Sequence, residues 1–133
     1  MIVLEQLKLL VNLARMDGEL AIIERNYIIN IGKGHGFPES SVETLFYDSH
    51  ETILAEDLTP KQRFNYLFNL VQLMKIDERL YQEEIKFCAN IATRLGYRSE
   101  VMVDLLLKVK SGPMDQKDID ALQESTAKYL TIQ

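Results

Sequence analysis

Apolar residues recur along this chain at helical spacing, and no segment alternates apolar and polar positions over the length of a strand. The first run, Ile2 to Met16, has Ile2, Val3, Leu4, Leu7, Leu9, Leu10, Val11, Leu13 and Met16 on nearly every side of a helix. A helix that is apolar all round is one that other helices enclose. Gly18 suits a left-handed stop after it. A second helix is predicted over about Ala21 to Lys33, with Ile23, Tyr27, Ile28 and Ile31 in register. The run Gly-Lys-Gly-His-Gly-Phe-Pro at 32–38 breaks it. That run is not a phosphate loop, because no strand precedes it and Lys33 is wrongly placed.

Pro38 opens a third helix at its first position, with Val42, Leu45 and Phe46 inward. A connector follows from His50 to Leu58, with room for one short helical turn. Thr59-Pro60-Lys61-Gln62 is a clear helix start, with Thr59 as cap and Gln62 closing a capping box. The fourth helix, about Pro60 to Ile76, is again apolar on most sides, and the fifth covers about Gln82 to Leu95 and stops at Gly96. Ser99 caps a sixth helix carrying Met102, Leu105, Leu106 and Val109, ended by Ser111-Gly112-Pro113. Asp115 begins a seventh, over about 115–130, with one inward stripe of Ile119, Leu122 and Tyr129.

The two halves repeat. Pairing residues 7–45 with 67–105 at an offset of sixty gives eleven identities in 39 positions without gaps. Eight of the eleven are apolar or glycine, which core packing alone explains; the others are Asp17/Asp77, Glu24/Glu84 and Asn30/Asn90. The expected fold is all-α: a seven-helix bundle in one domain over 1–133. It is built from three-helix repeats at about 2–49 and 60–110, related by a pseudo-two-fold axis, plus the C-terminal helix.

Composition narrows the function. A chain of 133 residues can bury a core without staples. The net charge of −5 argues against a general nucleic-acid binder, which needs a basic face. The single cysteine, Cys88, permits no internal disulfide, fits a reducing compartment, and sits at an apolar helical position with Phe87 and Ile91. No basic leader precedes the first apolar run, which Glu5 and Lys8 interrupt, and no stretch is long enough to span a bilayer. A cytoplasmic protein is the expectation.

The chemistry gathers at the two corners. Asp17 and Asp77 lie where a helix ends, and there the negative end of the macrodipole disfavours an acid by a few tenths of a kcal/mol to about 1 kcal/mol. A divalent cation shared by Asp17, Glu24 and free terminal carbonyls, and again by Asp77 and Glu84, would offset that. The seven-residue separation matches part of an EF-hand loop, but Leu13 and Arg15 stand where its first ligands belong, so an EF-hand is excluded. The structural alternative is that Glu24 and Glu84 occupy the third helical position and reach back to the amides of Ala21 and Tyr81 as caps. On that view Asp17 accepts bonds from the amides of the turn that follows it.

Asp-Gly-Glu-Leu at 17–20 followed by Glu24, then Ile28, Ile31 and the stop at Gly36, resembles the TerB family of tellurite-resistance proteins and its wider TerB-like group. That group includes a domain fused to some membrane-tethered DnaJ-type co-chaperones. The likeness covers Leu7 to Leu45, with Leu67 to Leu105 as a degenerate second copy. It implies an all-helical fold of two similar halves, acidic residues proposed to hold a divalent cation, and a stress-response role in complexes near the inner membrane face. By position, Asp17, Glu24, Asp77 and Glu84 match the acidic motif; Ala21 and Tyr81 stand in place of a small hydroxyl residue, and Glu78 in place of the turn glycine.

His35 and His50 lie in loops with no companion ligand and are expected to be solvated, and the serines have no triad context. The methionines at helical spacing read as core. The expectation is therefore a non-catalytic TerB-like module with no organic cofactor. Its cation would be calcium ahead of zinc or magnesium, because only oxygen ligands are on offer. It would work with a protein partner, without nucleic acid or membrane insertion. The alternative is a metal-free interaction or co-chaperone-like scaffold in which the acids are helix caps.

Overall fold

The computed structural model describes residues 2–16, 20–76 and 82–131. These residues form seven α-helices and two short 3-10 turns, with no strand among them. One isolated antiparallel bridge joins Tyr97 and Leu130. The expected all-helical class holds. The chain divides into two compact units, Met1–Ala55 and Glu56–Gln133.

In the first unit, α1 (Ile2–Ala14) and α2 (Ile22–Gly34) form a hairpin, and α3 (Glu39–Glu43) runs on into a 3-10 turn at Thr44–Tyr47. Leu7, Leu9, Leu10, Val11 and Leu13 of α1 are all buried, as the all-round apolar pattern requires. Helix α2 closes on α3 at Gly32, where an added Cβ would lie 2.5 Å from Cγ2 of the buried Val42. The Arg25 guanidinium binds Glu43 at 3.1 Å and lies over the Phe46 ring, tying α2 to the end of α3 and the 3-10 turn after it.

The second unit holds α4 (Pro60–Lys75), α5 (Gln82–Arg94), α6 (Val101–Lys108) and α7 (Gln116–Thr126), the last continuing into a 3-10 turn at Ala127–Tyr129. Helix α4 starts as its sequence requires. The Gln62 amide donates to Thr59 Oγ1 at 3.1 Å, and the Thr59 amide donates to Gln62 Oε1 at 2.9 Å. Phe64, Leu67, Leu70, Val71 and Leu73 of α4, Cys88 and Ile91 of α5, and Val101 and Leu105 of α6 are all nearly inaccessible.

Arg63 is buried without a carboxylate partner in the described residues. Its guanidinium donates to the carbonyls of Leu58 (2.9 Å), Leu95 (2.7 Å) and Glu56 (3.1 Å).

Helices α2 and α5 end in the same way. Gly36 (φ 91°) and Gly96 (φ 95°) take the left-handed conformation that other residues reach only with strain. The amides that follow, Phe37 and Tyr97, bond back to Gly32 and Ala92, each at 2.9 Å.

Several local expectations need correction. Pro38 caps α3 from outside the helix and is not its first residue. Ser99 is not the cap of α6: Glu100 holds that position without a side-chain bond, and Ser99 only accepts the Met102 amide through its carbonyl. The connector after His50 contains no helix. His50 is half-buried instead of free in solvent: its imidazole Nε2 bonds the Leu45 carbonyl at 2.8 Å and its backbone is held from both sides by Asn12. His35 is exposed as expected.

Candidate functional site

The candidate site was the pair of corners joining α1 to α2 and α4 to α5. Asp17, Gly18, Asp77, Glu78 and Tyr81 lie outside the described residues, so the structure places one predicted acid per corner. Glu24 is the third residue of α2 and Glu84 the third of α5, each only 5% exposed. Carboxylates at that depth are uncommon, because desolvation opposes the charge unless something compensates it.

At the first corner Ala21 is extended (φ −66°, ψ 147°) and its amide donates to Glu24 Oε1 at 3.4 Å. Only this half of a capping box is available, since alanine has no oxygen to return the bond. At the second corner the Glu84 charge is felt by Cys88, one helical turn on. Burial pushes the Cys88 thiol up to about 12 and the nearby Glu84 carboxylate adds to the shift. Cys88 is wholly buried in the core, and a thiol held that high is a poor nucleophile at neutral pH.

Among the described residues no three histidine, cysteine, aspartate or glutamate side chains come together in a group that could hold a metal ion. Glu24 belongs to the first compact unit and Glu84 to the second.

The structure also assigns work to residues that the identity pattern passed over. The Asn12 side chain bonds the backbone of His50 in both directions, at 2.7 and 3.2 Å. Sixty residues on, Gln72 donates to the carbonyls of Lys110 (3.2 Å) and Gly112 (2.9 Å). Arg15 donates to the Asp48 carbonyl at 2.7 Å, and its counterpart Lys75 donates to Leu106 at 2.6 Å and to Val109. In each unit an amide and a base near the end of the first helix hold the last turn of the third or the chain just beyond it. Like chemistry at offset sixty, amide with amide and base with base, was the signal that could have found them. Glu5, in the first turn of α1, was also missed; Lys8 lies 3.4 Å from its Oε1, and its Oε2 is buried without a hydrogen bond from any described residue.

Two clefts flank α7. One, of about 430 Å³, lies between it and the end of α6; the other, of about 330 Å³, lies between it and α4. Each lining has a single carboxylate, Asp118 or Asp120, and neither has a histidine or cysteine. No helix among the described residues is long and apolar enough to cross a membrane.

In comparisons with known proteins, no family model, no curated protein and no solved structure matches the chain.

Proposed function

We propose that the chain is a small cytoplasmic, non-catalytic TerB-like module that arose by internal duplication and holds a divalent cation at its acidic corners. The observation that carries this reading is the pair Glu24 and Glu84, two carboxylates at the same helical position and the same 5% exposure, sixty residues apart. Each follows an aspartate by seven residues. Oxygen ligands and free carbonyls at a helix end suit calcium first, then magnesium or zinc. A protein partner of the stress-response kind implied by the TerB resemblance would read the loaded corner.

Calorimetric titration of the metal-free protein with calcium, magnesium and zinc tests this directly. The expected result is saturable heat with a rise in melting temperature, weakened in Glu24→Gln and Glu84→Gln. Ligand at a hundred times its dissociation constant adds about 2.7 kcal/mol of stability. No heat and no melting shift at millimolar metal would remove the cation.

One observation favours a second reading. The Ala21 amide already uses Glu24 Oε1, as it would in a metal-free interaction or co-chaperone-like scaffold module whose acids only cap helices. In that case Glu24→Gln, which keeps the acceptor, leaves stability within about 0.5 kcal/mol of the parent and leaves partner capture intact.

A further inference from the structure

We propose that the cleft between the end of α6 and α7 binds a small amphipathic carboxylate. Lys108 and Lys110 take the acid group, and Met114 and Leu122 take a short apolar body. The site is separate from the acidic corners and does not depend on the function proposed for them.

Its volume of about 430 Å³ falls within the roughly 300–1,000 Å³ of small-molecule sites. The lining has the right chemistry for such a ligand. In a chain of net charge −5, two lysines share this rim, and neither ammonium makes an ion pair or hydrogen bond with a described residue. Asp118 is the one acid of the lining, so the two lysines leave one positive charge over, which matches one carboxylate and disfavours a dianion. Leu122 is buried and Met114 half-buried, and a thioether adapts its shape to an apolar guest.

The backbone that presents the lysines is fixed before any ligand arrives. Gln72 holds the carbonyls of Lys110 and Gly112, and Lys75 holds those of Leu106 and Val109. The Lys110 amide donates to Met114 Sδ at 3.4 Å, joining the charged rim to the apolar floor. Such preorganisation lowers the ordering cost of binding.

Heteronuclear NMR titration of the full chain with sodium octanoate tests the proposal. Octanol serves as the uncharged control, and a leucine-terminated peptide is used with its carboxylate free or amidated. Octanoate is expected to shift the backbone amides of residues 108–125, with octanol weaker by about tenfold or more. The double variant Lys108→Gln, Lys110→Gln is expected to lose octanoate by a like factor at an unchanged melting temperature. Preference for octanoate over the free-acid peptide assigns the ligand to free fatty acids, and the reverse preference assigns it to a chain terminus; both outcomes sustain the carboxylate. The proposal fails if neither carboxylate shifts these amides at millimolar concentration, if octanol or the amidated peptide binds as well, or if the double variant binds unchanged.

Discussion

Gly32 and Gly34 lie two residues apart on α2, and only Gly32 has a packing reason to be glycine. At Gly32 a methyl group would meet Val42 Cγ2 at 2.5 Å, and Val42 is a fully buried, β-branched neighbour with little freedom to move. Gly32→Ala is expected to cost about 1–3 kcal/mol in chemical denaturation. Gly34 has nothing within 4 Å of its added Cβ and no left-handed φ, so Gly34→Ala should gain about 0.5 kcal/mol. Equal effects of the two changes would show that the α2–α3 contact is not this close. Cys88 gives a second test at this scale. In the unfolded chain the thiol ionises near its ordinary 9.0, whereas in the fold it is held up to about 12. The unfolded state therefore loses its proton first, so stability is fully present below pH 9 and falls as the pH rises toward 12. Burial likewise raises Tyr97, from 10.0 to about 12 against the opposing Arg63 charge, and adds a loss of the same sign. Melting curves across this range should flatten in Cys88→Ala relative to the parent, and a native thiol assay at neutral pH should find Cys88 unreactive.

Arg63 shows how a single side chain holds several elements. Its three carbonyl partners come from the approach to α4 and from the end of α5. Arg63→Met should cost about 3 kcal/mol, because buried carbonyls lose charge-assisted partners. Arg63→Lys should recover little of this, since one ammonium cannot reproduce the planar fork; full rescue by lysine would mean the charge alone matters. Most helices were legible from their apolar period, and α4 also from Thr59 and Gln62, because these signals depend only on near neighbours in sequence. Ser99 misled because a serine in a tight turn looks like a cap until the backbone path is known. Asn12, Arg15, Gln72 and Lys75 were not legible by identity, since a side chain bonding a distant carbonyl needs only the right chemistry and reach. Glu24 was legible as a third-position acid, but its burial was not. The cleft beside α6 depends on where α7 packs, which periodicity does not say.

The two compact units differ in how much core they own. Residues 56–133 contain α4 to α7 and, among the described residues, the larger share of the buried apolar side chains. Expressed alone, they should melt cooperatively by circular dichroism. Residues 1–55 alone should melt far lower or without a transition, since a chain of about that size buries too small a fraction of its surface. Equal melting of the two pieces would contradict this division of the core. In the second unit the C-terminal segment is fastened to the turn after α5. Arg98 donates its amide to Tyr129 O at 2.7 Å, and Thr131 gives both its amide and its hydroxyl to Gly96 O, each at 2.7 Å. Tension applied at the C-terminal end is therefore borne first by these three short bonds. A tether or fusion attached there pulls on the turn that closes α5 before the load reaches any helix axis.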